Sequence, residues 1–287
     1  DMIAVKNYKF WFCTGSQDLY GDECLAHVAE HSGIIVDSLN KSGILPYEVV
    51  WKPTLITNEL IRRTFNEANA DEECAGVITW MHTFSPAKSW ILGLQEYRKP
   101  LMHFHTQFNQ EIPYDTIDMD FMNENQSAHG DREYGHMVTR MGIERKVIVG
   151  HWSDEKVVGR IAAWMRTAVG IMESSHVRVA RFADNMRNVA VTEGDKVEAQ
   201  MKFGWEVDAY PVNELAEYVK AVPKGDITAL VDEYYSKYTI LPEGRDPEEF
   251  KRHVAVQAQI EAGLEKFLLE KDYHAIVTHF GDLGELQ

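Results

Sequence analysis

The chain has 287 residues, 45% of them hydrophobic, and this length allows two domains with separate cores. Acidic residues outnumber basic residues by 45 to 29, and the formal net charge of -16 opposes nucleic acid and anionic membranes as partners. No apolar run reaches the roughly 18 residues that cross a bilayer, and the first residues lack a signal-peptide pattern. We therefore expect a globular chain that is neither exported nor anchored.

The three cysteines, Cys13, Cys24 and Cys74, indicate a reducing compartment. An odd count without CxxC spacing supplies neither a disulfide framework nor a zinc site. Cys13 and Cys74 lie in or beside apolar segments, where a packed thiol is the usual role. We therefore expect a cytoplasmic protein without a cysteine nucleophile.

Short apolar segments alternate along the chain with longer amphipathic ones. The apolar segments predict strands, and the amphipathic segments predict helices with one apolar stripe. Ser85 before Pro86 and Ser153 before Asp154 predict helix N-caps. The strand candidates, in chain order, are KFWFC, YEVVW, AGVITWM, PLMHFH, KVIVGHW, VRVARF, EVDAYPV and HAIVTHF.

Strands buried on both faces and separated by helices predict a doubly wound α/β fold with parallel sheets. The polar MESSH segment divides the chain into a first domain, 1–174, and a second, 175–287. The second domain shows three strand candidates and helical segments at 213–222, 226–238 and 247–271, and it ends on a strand without a return helix. This pattern favours a chain cut inside a domain, and an edge strand at a natural terminus is the alternative.

Polar side chains follow most of the predicted strands. The carboxyl ends of parallel strands meet at one edge of a sheet, and ligands bind there. Neutral donors and acceptors beside aromatic rings suit a ligand with many hydroxyls, such as a sugar, whereas each side chain alone is more simply a satisfied structural group. The polar residues that follow the predicted strands are Gln17, His82, Thr83, His105, Gln107, His151, Asn185 and His279.

Motifs of other common chemistries are absent from the sequence. GSQDLYG follows the first predicted strand but lacks GxGxxG, and no GxxxxGK[ST], GxSxG or HExxH occurs. The sequence therefore favours neither binding of a dinucleotide or a nucleoside triphosphate nor the activity of a serine hydrolase or a zinc protease.

The segment DMDFMNENQSAHGDRE, residues 118–133, is rich in carboxylates and amides. Residues 117–121 alternate as in extended backbone, and the spacing becomes helical from Asn123 or Asn125 onward. Gln126 and His129 then lie on one face of the first helical turn, where they could bind one ligand together. Helix capping is the simpler role for the acids, and the spacing matches no known metal loop.

Taken together, the segments resemble the bacterial L-arabinose isomerases from about residue 8 to residue 283. The similarity is carried, in order and spacing, by TGSQDLYG, VITWMHTFSPAK, HTQFN, IDMDFMNENQSAHGDREYG, VGHW and RFADNMRNVAVTEGDKVEAQMKFGW. The resemblance implies interconversion of L-arabinose and L-ribulose, and less efficiently of D-galactose and D-tagatose, with a divalent metal, usually manganese. It also implies a homo-oligomer, a trimer or hexamer, with sites between subunits.

The resemblance implies that this chain supplies the sugar-facing wall of such a site. It also implies that the four metal ligands and a C-terminal β-barrel-like domain belong to segments absent from this chain. The first domain is expected to be flavodoxin-like or Rossmann-like. No catalytic residue and no metal ligand is assigned within the chain. The implied sugar-binding residues are Gln17, Leu19, Phe84, Gln126, His129, Met186 and Phe280.

The chain departs from the family pattern at several positions. Asp18, Glu124 and Ala183 stand where the family usually has histidine, leucine and glycine. Two other functions stay open: a metal-independent sugar-binding or regulatory module, and a structural half that assembles with a separate C-terminal half.

Overall fold

The computed structural model describes residues 6–286, which belong to two compact units that divide between Met172 and Glu173. Each unit contains a parallel sheet and several helices, so the predicted α/β fold with parallel sheets is confirmed. Each of the eight predicted strand segments contains one observed strand. In the described part of the chain, every helix is too short or too polar to cross a membrane.

The first unit contains a five-stranded sheet whose strands all run parallel, in the order β2-β1-β3-β4-β5. This is the strand order of flavodoxin-like folds. All eight residues of β3 are buried because helices cover both faces of the sheet. The strands are β1 (Lys9–Gly15), β2 (Glu48–Trp51), β3 (Cys74–Met81), β4 (Leu101–His105) and β5 (Lys146–Val149).

Alternate residues of β1 serve two different cores. Phe10 and Phe12 pack on the face covered by α1 and α6, whereas Trp11 and Cys13 pack on the face covered by α2, α3 and α5. This two-residue alternation follows from the pleat of a strand, so one short segment anchors both layers of helices. The helices are α1 (Gly21–Lys41), α2 (Asn58–Ala70), α3 (Ile91–Glu96), α4 (Met119–Glu124), α5 (Ser127–Arg140) and α6 (Glu155–Ser174).

Three local predictions were wrong. Residues 119–121, predicted to be extended, belong to the short helix α4, because Asp118 caps it by accepting a hydrogen bond from the Phe121 N–H. Ser85 has a φ of 51° and caps no helix. At the start of α6 the carboxylate of Asp154, rather than Ser153, accepts the backbone N–H of Lys156.

The second unit contains a three-stranded parallel sheet in the order β7-β6-β8. Its core forms around Phe182, Leu215, Phe267 and Tyr273. The sequence prediction missed helix α7, whose residues are all at least partly exposed and therefore show no apolar stripe. The elements are β6 (Arg178–Phe182), α7 (Lys196–Phe203), β7 (Glu206–Tyr210), α8 (Val212–Lys220), α9 (Lys224–Lys237), α10 (Pro247–Lys271) and β8 (Ala275–Thr278).

Helix α5 approaches β3 closely through a glycine. A Cβ atom on Gly130 would lie 2.6 Å from the carbonyl oxygen of Thr83 and 3.0 Å from the Cβ of Met81. These contacts involve backbone and the root of a side chain, so they cannot relax by rotation about a side-chain bond. Gly130 therefore fixes how near α5 lies to the end of β3.

Substitution of Gly130 by alanine is expected to destabilise the first unit by about 1–3 kcal/mol, because the added methyl group overpacks the contact between α5 and β3. Gly135→Ala is the matched control on the same helix: its Cβ would contact only the Arg145 guanidinium, at 3.4 Å. Alanine there should stabilise the helix by up to about 1 kcal/mol. Urea denaturation of both variants measures the two changes, and equal shifts in the midpoint would contradict the close approach.

Candidate functional site

Strands β1 and β3 end side by side at a topological switch point. They pair directly, while β2 lies on the far side of β1, so the connections after β1 and β3 leave in opposite directions. In open α/β sheets this divergence leaves a crevice beyond the carboxyl ends of the two strands, where ligands bind. The segments beginning at Ser16 and His82 form the edges of that crevice.

Glycine keeps the two strand ends close together. A Cβ atom on Gly15 would lie 2.6 Å from the sulfur of Met81 and 3.0 Å from Nε1 of Trp90. Beyond the strands, the hydroxyl groups of Ser16 and Thr83 share a hydrogen bond of 3.1 Å. The loops after β1 and β3 are therefore joined at their first residues.

The backbone after β3 is held in an unusual conformation by side chains of the β1 loop. Gln17 Nε2 donates to the Phe84 carbonyl at 3.3 Å and also to the Ser85 carbonyl, and Tyr20 donates to the Phe84 carbonyl at 2.9 Å. These bonds compensate the positive φ of Ser85, which L-residues seldom adopt. They leave the Phe84 ring 38% exposed.

The start of α5 lies against this loop. The rings of Phe84 and His129 have centroids 4.3 Å apart, and Ser85 Oγ lies 3.5 Å from His129 Nδ1. Gln126 precedes the helix, and its Oε1 is buried without a hydrogen-bond partner among residues 6–286. Such an oxygen is costly unless a ligand or water donates to it. We name Gln17, Phe84, Gln126 and His129 the switch-point wall.

The other predicted sugar-binding residues lie elsewhere. Leu19 is in a short 3-10 turn after β1, with 82% of its surface exposed. Met186 and Phe280 belong to the second unit, the latter with 72% of its surface exposed and its ring 5.8 Å from that of His279. The structure thus brings four of the seven predicted residues into one wall of the first unit.

Several strand-end polar residues have protein partners. Gln107 Nε2 donates to the Asn125 carbonyl at 2.5 Å, and His151 shares a bond of 2.8 Å with Ser153. In the second unit, Asn185 donates to Glu193 at 2.7 Å, and His279 Nδ1 accepts the Gly281 N–H at 3.0 Å. Each of these four side chains therefore has a hydrogen-bond partner within its own unit, as the structural interpretation of strand-end side chains expects.

A buried carboxylate, Asp131, was missed by the sequence analysis. Its Oδ1 accepts the Met81 N–H at 3.0 Å and shares a bond of 2.8 Å with His103 Nε2. His105 Nε2 lies 3.7 Å from Oδ2. Asp131 therefore joins α5 to β3 and β4. Its sequence separation of 28 residues from His103 explains why no local pattern revealed it.

Burial sets the protonation of the groups around the switch point. It lowers the pKa values of His82 and His103 to about 3, so both imidazoles are neutral near pH 7. Burial also raises the pKa of the Asp131 carboxyl well above its usual range. Burial raises the thiol pKa of Cys24 and Cys74 to about 11, which supports the absence of a poised thiolate at these two positions.

Replacement of Asp131 by alanine is expected to cost roughly 3 kcal/mol, because it leaves the Met81 N–H and His103 Nε2 buried without a partner, while His103 Nδ1 keeps its bond of 2.9 Å to the Thr79 hydroxyl. Asp131→Asn keeps an acceptor oxygen and should lose about 1 kcal/mol. Chemical denaturation of the two variants gives both values. An alanine variant as stable as the asparagine variant would show that Asp131 does not anchor α5.

Comparison with known proteins agrees with this architecture. The family model described as the L-arabinose isomerase N-terminal domain matches residues 4–176, and that of the central domain matches residues 178–287. A protein named L-arabinose isomerase from Geobacillus stearothermophilus is 56% identical over 98% of this chain, and one from Halalkalibacterium halodurans is 54% identical over 98%. The chain covers 57% of the length of each of these two relatives. Similarity of this extent shows that the chain belongs to the L-arabinose isomerase family.

Proposed function

We propose that this chain serves as the sugar-facing part of an aldose-ketose isomerase that interconverts L-arabinose and L-ribulose, and less efficiently D-galactose and D-tagatose. The observation that carries the proposal is the identity of 54–56% to proteins named L-arabinose isomerase across nearly the whole chain. The switch-point wall supports it, because its amide and imidazole groups can bind hydroxyls while the Phe84 ring covers C–H edges of a sugar.

Each wall residue has a chemical role in this proposal. Gln126 Oε1, which is buried without a partner in the described chain, would accept a hydrogen bond from a sugar hydroxyl. The His129 imidazole would donate to or accept from a neighbouring hydroxyl, with its ring position set by Phe84 and Ser85. Gln17 acts through the backbone of Phe84 and Ser85 and is a positioning residue.

The isomerase metal does not fit the switch-point wall. The wall offers one imidazole and no carboxylate, whereas a divalent ion in a protein usually needs three or more such ligands. A bound metal would supply polarisation of the sugar oxygens, and the wall residues would bind and orient the sugar. We propose that manganese, the remaining domain and the oligomeric partner complete the site in the whole enzyme.

The whole-enzyme proposal is tested by joining this chain to the remaining C-terminal part of the Geobacillus stearothermophilus relative. We expect the 287-residue chain to form no ketose from L-arabinose with manganese, and the chimera to form ketose until a chelator is added. Turnover by the short chain would place the catalytic groups within it. Metal-independent sugar binding without turnover by the chimera would support the sugar-binding module instead.

The wall is tested in the same chimera by His129→Ala. Loss of one hydrogen bond and of the ring contact with Phe84 should lower kcat/KM for L-arabinose by about ten- to a hundredfold. His136→Ala is the matched control, because His136 is an exposed histidine on the same helix. Equal activity of the two variants would remove His129 from the site.

A further inference from the structure

Three side chains with metal-binding groups converge in the first unit beside the carboxyl end of β3. They are His31 of α1, His82 directly after β3, and Glu124 at the end of α4. One ligand atom from each lies within 4.8 Å of the other two. We name them the His31–His82–Glu124 cluster. None of them belongs to the switch-point wall.

The two imidazoles of the cluster face each other. His31 Nδ1 and His82 Nε2 are 2.7 Å apart, and His82 is fully buried. The His82 ring stacks on Trp80 with centroids 4.4 Å apart, and the His31 ring stacks on Phe108 at 3.6 Å. Aromatic neighbours therefore hold both rings with their nitrogen atoms directed at one point, as a metal site requires.

The carboxylate of the cluster lies between the imidazoles and solvent. The Glu124 side chain is 18% exposed, and its Oε2 lies 3.1 Å from His27 Nδ1. An open depression lined by Tyr20, Cys24, His27 and Glu124 gives access to it. An ion could therefore reach Glu124 from solvent without any movement of the sheet.

We propose that His31, His82 and Glu124 bind a divalent transition-metal ion. Two imidazoles and one carboxylate form a donor set used for zinc and other first-row metals, and one carboxylate is too few oxygen ligands for calcium or magnesium. Burial lowers the pKa of His31 as well as that of His82, so both rings are neutral and able to coordinate.

Binding requires a small and balanced change. Two nitrogen ligands at about 2.0–2.1 Å from a tetrahedral zinc ion lie about 3.3 Å apart, so the imidazoles must separate by roughly 0.6 Å. In the hydrogen bond between His31 Nδ1 and His82 Nε2, one ring donates its N–H to the other. When a metal binds, that proton moves to the second nitrogen of the same ring. The metal takes the place of that proton, and no net proton is released from the histidine pair.

Such an ion would act as a structural clamp. It would join α1, the end of β3 and α4. Asn123 precedes Glu124 in α4, and its carbonyl accepts a hydrogen bond of 3.1 Å from the Phe84 N–H. The bound ion would therefore also restrain the loop that carries Phe84, through this hydrogen bond. Zinc should bind more tightly than manganese, following the usual order of affinities for nitrogen and oxygen ligands.

The test uses the 287-residue chain, stripped of metal with a chelator that is then removed, and titrated with zinc chloride in a calorimeter without sugar. We expect one tightly bound zinc, weaker manganese, and a melting temperature that rises by a few degrees with excess zinc. Glu124→Gln and His31→Gln should each weaken zinc binding by at least about tenfold. His136→Gln, the exposed control on α5, should bind zinc like the unmodified chain.

Wild-type protein without a stoichiometric zinc site would overturn the proposal, and so would glutamine variants that keep the wild-type affinity. Circular dichroism of each variant shows whether the fold is intact, and a second pair, Glu124→Asp and His31→Asn, replaces any variant that unfolds. Cobalt absorption gives an independent measure of nitrogen ligation. No sugar or turnover enters these measurements, so their outcome is separate from that of the isomerase proposal.

Discussion

The buried carboxylate of Asp131 is the interaction on which the switch-point wall depends. It bonds the Met81 N–H at the end of β3 and the His103 imidazole of β4, while its backbone belongs to α5. The Asp131 side chain has no exposed surface, and both of its hydrogen bonds converge on Oδ1; losing them would leave buried polar groups unpaired, so this contact specifies one position for the helix. Gly130 permits the same close approach sterically. Polar and steric constraints therefore act at adjacent residues.

The position of α5 in turn determines what the crevice presents. His129 lies two residues before Asp131, so anchoring the aspartate holds the His129 ring against Phe84 in the loop after β3. Gln17 and Tyr20 hold that loop from the opposite side through its carbonyl groups. The wall is thus assembled from three chain segments, whose mutual positions depend on the buried bonds of Asp131 and on the bonds that Gln17 and Tyr20 donate to the loop after β3.

The sequence predicts the fold well because its signal is local. Short apolar segments reveal each of the eight strands among residues 6–286. The polar contacts around the site are not local: Asp131 and His103 are 28 residues apart, and His31 and His82 are 51 apart. The start of helix α4 was predicted to be extended because residues 117–121 alternate apolar and polar, whereas the Asp118 cap favours a short helix. Pairing across such distances leaves no periodic pattern in one sequence.

Recognition and chemistry are separable in this chain. Moving hydrogen between two carbons of a sugar requires a group that polarises oxygen and groups that accept and return protons. The switch-point wall consists of two amides, one imidazole and the Phe84 ring, and none of its four residues is a carboxylate. The carboxylate of Glu124 instead lies near His27 and near the imidazoles of His31 and His82. Metal binding at that cluster would therefore act on the wall through the hydrogen bond from the Phe84 N–H to the Asn123 carbonyl, next to Glu124.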